Sequence, residues 1–334
     1  MKNYSFARPV QENYNLSKKH LFKKIAGNAK YYYELKNDES LDNDLEELSK
    51  LYQDDMPFRI YGMHTNLYIT SNGYEGMFID MSPKKSYVKF DEETEEFICS
   101  GNLLTTQLVN FAMKKGYDFA SLAGVPGMIG AGVVGNASFA TGKEFSDYVK
   151  RITLFDFESG KYVEITPDEK SFSTRNSFIK KANQNKTRYF VKEVVLWSEQ
   201  IGENGVRAKY QAQMDLRTRD LRIGYLEGCA GSIWSNIDLR NKIGMSFRHV
   251  VNNNEAFNIN FNGARYSLYG SRFFTMDEYT EEKDVAKLMQ YTLDKLEEIY
   301  HIKPEKEVIF LDYDGEIDLY TYIDRYLDDN VQKR

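Results

Sequence analysis

The chain has 334 residues, of which 42% are hydrophobic and 28% charged, and its formal net charge is −6 with a pI near 5.5. This length allows two or three packed units, and the apolar content is too high for a disordered chain. The acidic balance provides no general positive field for nucleic-acid phosphates, so we expect no nucleic-acid partner. The expected assembly is a monomer or a weak homo-oligomer.

The cysteines and the N-terminus limit the kind of protein further. Cys99 and Cys229 are the only cysteines, they form no C-x-x-C pair, and the four histidines lack ligand spacing. We therefore expect neither a disulfide framework nor a metal site. The N-terminus is polar, and no run approaches the ~20 apolar residues of a membrane span. These features predict a soluble cytoplasmic protein without a signal peptide or membrane contact.

The first half of the chain alternates between strand and helix patterns after a lead-in over residues 1–15, which we predict to be irregular. Aromatic and alternating apolar residues indicate strands, and leucines at helical spacing indicate helices. The predicted strands are 29–35, 58–61, 77–80, 151–157, 161–165 and 189–197, and the predicted helices are 41–52 and 105–115. The first strand, the acidic helix and the second strand form a β-α-β unit. Gly116 ends the second helix.

A Gly/Glu/Asn-rich break at 199–206 is the best boundary in the chain. We predict a domain at 1–198 made of two α+β subdomains that divide near 75–100, and a second domain at 199–334. The second domain contains an amphipathic helix at 281–300, a strand at 308–311 and an acidic, tyrosine-rich tail that forms a short helix. The fold class is α+β.

Glycine is concentrated between Gly124 and Ala137, where the sequence is G-V-P-G-M-I-G-A-G-V-V-G-N-A. Glycines leave backbone N–H groups open to a pyrophosphate, although a tightly packed Gly/Ala helix would show the same composition. No Gly-Lys-Ser/Thr follows, so this is not a P-loop. The setting also lacks a convincing strand and helix around G-x-G-x-x-G, which disfavours a Rossmann site.

This segment resembles G-I-P-G-T-V-G-G-A-V-x-x-N-A-G, and two earlier segments resemble further motifs of one family. Residues 59–69 (R-I-Y-G-M-H-T-N-L-Y-I) resemble the pyrophosphate loop L-G-x-G-S-N-L-L-V, and residues 16–29 resemble L-S-x-H-T-T-F-x-I-G-G-x-A. The family is that of the UDP-N-acetylenolpyruvoylglucosamine reductases. The resemblance implies a two-lobed FAD-binding domain of the vanillyl-alcohol-oxidase/PCMH type and an α+β C-terminal substrate domain.

The resemblance also assigns the cofactor residues and the reaction. In the family, NADPH reduces the flavin, which then passes hydride to an enolpyruvyl ether and gives UDP-N-acetylmuramate, a peptidoglycan precursor. The implied FAD-binding residues are Arg59, Gly62, Met63, His64, Thr65, Asn66, Leu67, Gly124, Val125, Pro126, Gly127, Gly130, Gly132, Val134, Asn136 and Ala137.

Three further segments match the family's catalytic motifs. Residues 172–178 resemble F-x-Y-R-x-S-x-F, which makes Arg175 the arginine that stabilises the substrate carboxylate. Residues 231–236 resemble G-S-x-F-K-N-P, which makes Ser232 the proton donor to C2 and Asn236 a substrate contact. Glu307, in the segment that resembles P-E-V-R, takes the place of the catalytic glutamate. Arg217, in a basic cluster with Arg219 and Arg222, is a candidate phosphate contact.

Several positions depart from the family pattern. Thr174 replaces a tyrosine, Ser235 a lysine and Ile309 an arginine, so cations expected to face a nucleotide diphosphate are missing. His64 replaces a glycine. Some relatives in the wider flavin superfamily attach the flavin covalently to a histidine in R-x-G-G-H, but Arg59 lies five residues before His64 rather than four.

Two other functions remain open at this stage. A flavin-dependent oxidase or dehydrogenase acting on another sugar or alcohol would retain the flavin motifs and lose the cations. A non-catalytic nucleotide-binding protein would retain only the fold, and the matching catalytic positions argue against it.

Overall fold

The structure is a computed structural model that describes residues 1, 3–18, 25–138, 143–226, 230–267 and 273–327, with the backbone alone for 219–226. The chain forms two compact units. The first contains Met1–Glu12, Lys30–Met63 and Gly76–Arg217, and the second contains Asn13–Ala29, His64–Glu75 and Thr218–Arg334. Assignment of the cofactor to 1–198 and of the substrate to 199–334 stays a prediction.

The described residues form strands and helices throughout the chain. The strands are β1 (Gln11–Asn15), β2 (Asn28–Leu35), β3 (Phe58–Tyr61), β4 (Leu67–Ile69), β5 (Tyr74–Met81), β6 (Val88–Asp91), β7 (Glu96–Ser100), β8 (Val149–Asp156), β9 (Lys161–Ile165), β10 (Phe172–Ser173), β11 (Asn176–Ser177), β12 (Tyr189–Leu196), β13 (Asn260–Phe261), β14 (Ala264–Tyr266), β15 (Phe274–Thr275), β16 (Ile309–Asp312) and β17 (Gly315–Ile317). The helices are α1 (Leu41–Gln53), α2 (Thr105–Lys115), α3 (Ile129–Val134), α4 (Phe178–Ala182), α5 (Glu203–Leu226), α6 (Asn236–Ile243), α7 (Phe247–Asn253), α8 (Glu282–Tyr300) and α9 (Leu319–Leu327).

Helix α1 forms because its leucines lie on one face. Leu41, Leu45, Leu48 and Leu51 are all at most 1% exposed and join a core with Phe58 and other residues of the first unit. A four-stranded sheet has the order β1-β2-β5-β3, and β3 runs parallel to β5. The predicted β-α-β unit therefore has a third strand, β5, inserted between its two strands.

The second sheet of the first unit has the order β6-β7-β12-β8-β9, and its neighbouring strands are antiparallel. Helix α2 packs into the same core and ends at Gly116, which adopts the left-handed conformation at φ 83°. This ending confirms the predicted glycine cap, since a residue without Cβ carries no steric penalty there.

Two sequence predictions were wrong. Residues 11–15 form β1 instead of an irregular lead-in, although its polar sequence gives no apolar alternation. The predicted break at 199–206 contains the start of α5, which runs for 24 residues from Glu203. The sequence pattern indicated a linker because this part of the chain is polar.

The core of the second unit is rich in aromatic residues, with Tyr68, Trp234, Phe247 and Tyr322 all fully buried. Strands β4, β16 and β17 form a three-stranded sheet in which β4 and β16 are parallel. The predicted helix at 281–300 and the predicted strand at 308–311 correspond to α8 and β16. The tail contains α9, as predicted, and its last residues lie outside the described ranges.

Within the described ranges, no helix combines the length and apolar character needed to cross a bilayer.

A buried carboxylate, Glu282, connects three elements of the second unit. Its carboxylate accepts hydrogen bonds of 2.7 Å from the hydroxyls of Tyr68 on β4 and Tyr322 on α9, and from the backbone N–H of Ser71. Burial raises the pKa of Glu282 from 4.5 to about 7, although these three donors act in the opposite direction. The folded protein therefore binds a proton at Glu282 that the unfolded chain has already released.

We predict that Glu282 makes the protein less stable as the pH rises from about 4.5 to about 7, because its folded pKa is the higher one. The resulting decrease in the free energy of unfolding amounts to about 3 kcal/mol. Glu282→Gln cannot ionise, so its unfolding free energy relative to wild type should improve by up to this amount over the same range. Urea unfolding at pH 4.5, 6 and 8 measures the difference.

Glu298→Gln is the matched control, since that carboxylate lies on the same helix with its side chain 64% exposed. Its pH profile should follow that of wild type. Parallel profiles for Glu282→Gln and wild type would contradict the prediction.

Candidate functional site

Two predicted site segments meet at one edge of the sheet in the second unit. Because β4 and β16 are parallel, the residues that precede them lie side by side. The side-chain amide of Asn66 donates to the carbonyl of Glu307 at 3.1 Å, and the backbone N–H of Ile309 donates to the carbonyl of Asn66 at 3.1 Å. Asn66 and Glu307 are 241 residues apart in sequence.

The segment that carries Ser232 joins the same edge. The backbone N–H of Glu307 donates to the carbonyl of Ile233 at 2.8 Å, and Trp234 forms an antiparallel bridge with Lys306. Gly231 has a φ of 94°, and a Cβ there would lie 3.2 Å from the side-chain oxygen of Asn66. The glycine of the Gly-Ser pair thus permits a left-handed turn. Ser232 and Glu307 are both half-buried.

Asn236 and Ser235 start α6 and take part in local hydrogen bonds. The Ser235 hydroxyl accepts from the backbone N–H of Asp238 at 3.2 Å and caps the helix. The side-chain amide oxygen of Asn236 accepts from the backbone N–H of Phe247 at 3.1 Å and connects α6 to α7. The predicted role of Asn236 as a substrate contact stays a prediction.

Residues 59–63 belong to the first unit and residues 64–67 to the second. In the first unit, the Arg59 guanidinium donates to the backbone carbonyls of Asn183, Gln184 and Asn185 at 2.6, 2.9 and 3.1 Å. Arg59 therefore fixes the loop at 183–185. Met63 is 43% exposed. In the second unit, His64 has a φ of 57° and is 7% exposed, and Thr65 and Asn66 lead into β4, which begins at Leu67.

The glycine-rich segment contains two kinds of glycine. Gly130 and Gly132 lie in α3, where a Cβ would approach the carbonyl oxygen of Gly101 to 3.0 Å and the ring of Phe145 to 2.4 Å, respectively. Packing therefore requires these two glycines, as in the tightly packed Gly/Ala helix considered above. Gly62 also has little room, since its Cβ would lie 3.3 Å from the sulfur of Met128.

The loop before α3 has a different character. Gly124 and Gly127 adopt φ values of 69° and 108°, which other residues rarely adopt. A Cβ at Gly124 would lie 2.7 Å from Cδ of Arg217, which is 3% exposed. Between the two glycines, Val125 is buried and Pro126 is exposed. This loop fits the close approach of a ligand's phosphates to the backbone, because its turns depend on residues without Cβ.

Arg175 lies at the tip of a short hairpin formed by β10 and β11, in which Ser173 pairs with Asn176. Its φ of 58° places a non-glycine residue in the left-handed region, which costs roughly 1–2 kcal/mol. The ammonium of Lys180 donates to the carbonyl of Arg175 at 3.1 Å, and the hydroxyl of Ser177 donates to the carbonyl of Val134 at 2.7 Å. The hairpin is thereby fixed to α3 at one side and to α4 at the other.

Asn136 is fully buried, and its amide connects three segments of the first unit. Its nitrogen donates to the carboxylate of Glu144 at 2.6 Å and to the carbonyl of Ser173 at 3.0 Å, and its oxygen accepts from the N–H of Ser146 at 3.0 Å. Both amide hydrogens are therefore used inside the protein. Ala137, next in sequence, donates its N–H to the carbonyl of Gly132 at 2.8 Å.

Glu144 is the residue that sequence reasoning missed. Burial raises its pKa, while the positive charge of Arg175 and the hydrogen bond from Asn136 lower it. The only local signal was its spacing from Asp147, whose carboxylate accepts from the N–H of Glu144 at 2.7 Å in a capping arrangement. Residues 19–24 of the motif at 16–29 lie outside the described residues.

Comparisons with known proteins agree with the motif resemblance. No protein-family model matches the chain. UDP-N-acetylenolpyruvoylglucosamine reductase of Bacillus velezensis is 27% identical over 263 residues, which cover 76% of this chain and 79% of that protein. The same-named protein of Rickettsia rickettsii is 31% identical over 175 residues, or 51% of this chain and 55% of that protein.

A solved structure extends the similarity to the fold. The crystal structure of UDP-N-acetylenolpyruvylglucosamine reductase from Thermus caldophilus matches with a TM-score of 0.65 and 18% identity. The match covers 90% of this chain and 98% of that chain. It confirms the predicted α+β fold class.

Replacement of Gly132 by alanine tests whether packing requires this glycine. The new Cβ would lie 2.4 Å from the fully buried ring of Phe145, so we expect a loss of roughly 1–3 kcal/mol in the free energy of unfolding. Urea unfolding monitored by circular dichroism provides the measurement.

Gly205→Ala in α5 is the matched control. Its Cβ would lie at an ordinary 3.5 Å from Ile201, so alanine should stabilise the helix by up to about 1 kcal/mol. Equal stability changes in the two variants would contradict the assignment of Gly132 to packing.

Proposed function

We propose that this chain is a divergent member of the UDP-N-acetylenolpyruvoylglucosamine reductase family and that it performs the reductase reaction with FAD as cofactor. The electron donor is NADPH, and the acceptor is the enolpyruvyl group of UDP-N-acetylglucosamine enolpyruvate or a close analogue. The product is UDP-N-acetylmuramate, a precursor of peptidoglycan. We expect the enzyme to act in the cytoplasm, as a monomer or weak homo-oligomer.

The loop around Gly124 and Gly127 supports the cofactor assignment, because its left-handed glycines allow a phosphate to approach the backbone. Bound FAD supplies the hydride relay between NADPH and the acceptor. The residues that would hold it are those of the two motifs, at 59–67 and 124–137. Within them, Arg59, Gly130, Gly132 and Asn136 would act by shaping the backbone, since their contacts are to the protein.

The chemistry of the acceptor explains the catalytic side chains. Hydride addition at C3 of the enolpyruvyl ether leaves negative charge delocalised onto the carboxylate, and C2 must then be protonated. Arg175 would stabilise this charge, and its hairpin holds it in a fixed conformation before substrate binds. Ser232 would donate the proton to C2.

One observation carries the assignment of the catalytic segments. The parallel pairing of β4 with β16 brings the Asn66 loop beside Glu307, and the two residues share a hydrogen bond. Glu307 is hydrogen-bonded in turn to Ile233, in the turn that carries Ser232. These are the segments that the family resemblance names independently, from distant parts of the sequence. Glu307 would act as the catalytic glutamate at this edge.

Two of the departures from the family pattern have structural roles here. Ser235, at the lysine position, caps α6, and Ile309, at the arginine position, belongs to β16 and pairs with Leu67. Cations for a nucleotide diphosphate must therefore come from elsewhere, and we propose Arg217 for this role, with Asn236 as a further substrate contact.

An anaerobic half-reaction tests the proposed function. The bound flavin is reduced with NADPH, UDP-N-acetylglucosamine enolpyruvate is added, and the absorbance band of the oxidised flavin is followed. We expect the band to return promptly in wild type. Ser232→Ala should slow its return by about 10²–10⁴-fold, because the proton donor is lost, and Arg175→Ala by about 10²–10³-fold.

Ser159→Ala, in the turn between β8 and β9, is the control and should match wild type. A flavin that NADPH reduces but the enolpyruvyl ether does not reoxidise would overturn the acceptor assignment. Rapid reoxidation by O2 in that case would favour the oxidase alternative.

A further inference from the structure

The conformation of Arg175 has a cause within the first unit. A left-handed arginine at the tip of a two-residue loop is held by its surroundings, because its own steric preference opposes that conformation. Ser173, two residues earlier, is anchored by the amide of Asn136 at 3.0 Å. Asn136 itself adopts a φ of 42° at the end of α3 and is fully buried.

A second hydrogen bond, besides the one to the Ser173 carbonyl, orients the side-chain amide of Asn136. Its second hydrogen points to Glu144, whose carboxylate accepts at 2.6 Å. The backbone of Glu144 is fixed in turn by the carboxylate of Asp147. A chain of contacts therefore runs from the short turn at 144–147, through Asn136, to the strand that leads into Arg175.

Charge provides a second connection between Glu144 and Arg175. Burial raises the pKa of the Glu144 carboxyl, and the positive charge of Arg175 opposes this effect. Attraction between opposite charges is stronger where water is partly excluded, and Glu144 is half-buried. Arg175 is itself half-buried.

We propose that Glu144 is a positioning residue for Arg175, acting through the amide of Asn136 on the hairpin and through its negative charge on the guanidinium. The inference rests on the proposed function for its catalytic consequence. It also changes the role of Asn136 from a cofactor contact to the connector between Glu144 and the hairpin. Glu144 contacts no reacting atom in this scheme, and its effect is confined to the step that uses Arg175.

Two variants separate the hydrogen bond from the charge. Glu144→Gln keeps an oxygen that accepts from Asn136 but removes the charge, whereas Glu144→Ala removes both. Glu164→Gln is the matched control, since it removes one negative charge from an exposed position on β9 of the same unit.

The first readout is hydrogen–deuterium exchange of the backbone amides at 172–177 in the flavin-loaded enzyme. We expect exchange about 10-fold faster in Glu144→Ala and near wild type in Glu144→Gln and in the control. This readout does not depend on the acceptor. Unchanged exchange in Glu144→Ala would overturn the positioning role.

The second readout compares the two half-reactions by stopped flow. We expect reduction by NADPH to stay within 2-fold of wild type in both variants. At saturating acceptor, the rate of flavin reoxidation by the enolpyruvyl ether should fall about 10-fold in Glu144→Gln and about 100-fold in Glu144→Ala. Equal losses in both half-reactions would indicate a general structural defect and overturn the proposal, and a wild-type rate in Glu144→Gln would overturn the role of the charge.

Failure of the proposed function has a different signature. Reduced wild-type flavin would then not respond to the enolpyruvyl ether, while the exchange experiment would still decide whether Glu144 holds the hairpin.

Discussion

The proposed catalytic edge of the second unit depends on the parallel pairing of β4 with β16. These strands are only three and four residues long, and they come from opposite ends of the sequence. Their pairing places the residues before each strand at one edge, where Asn66 and Glu307 share a hydrogen bond. The Ser232 turn then adds to this edge through the bond between Glu307 and Ile233. Without the parallel register, the Asn66 loop would have no fixed position beside the proposed glutamate.

Buried polar groups also stabilise the pairing of β4 with β16. Asp312, at the end of β16, is fully buried and accepts hydrogen bonds from Thr70, at the end of β4, and from Arg325 on α9. Glu282 accepts from Tyr68 on β4 and from Tyr322 on α9. Burial of a carboxylate is unfavourable unless several donors compensate for lost water. Because these donors come from β4 and α9, the network specifies how the two elements pack, at a cost in stability for Glu282 at neutral pH.

The first unit fixes its proposed catalytic arginine by a different means. Backbone and amide contacts hold the hairpin of Arg175 to α3 through Val134 and Asn136. The close approach of Gly132 to Phe145 fixes α3 in turn. The glycine-rich segment thus serves both packing and backbone shape, and among its described glycines only Gly124 and Gly127 have the left-handed conformation that a phosphate loop uses.

The sequence alone determined the regular elements with strong periodicity, such as α1 and α8, because their leucines occupy one helical face. It also determined the order of the motifs and hence the family resemblance. Tertiary structure decided the features without a local pattern: the polar strand β1, the polar helix α5, and the insertion of β5 between β2 and β3. It likewise decided the partner of Asn136, since a hydrogen bond from a buried amide to Glu144 leaves no periodic trace in the sequence. Local propensity specifies which segments become helix or strand, whereas the pairing of distant segments follows from burial and hydrogen-bond satisfaction of the whole chain.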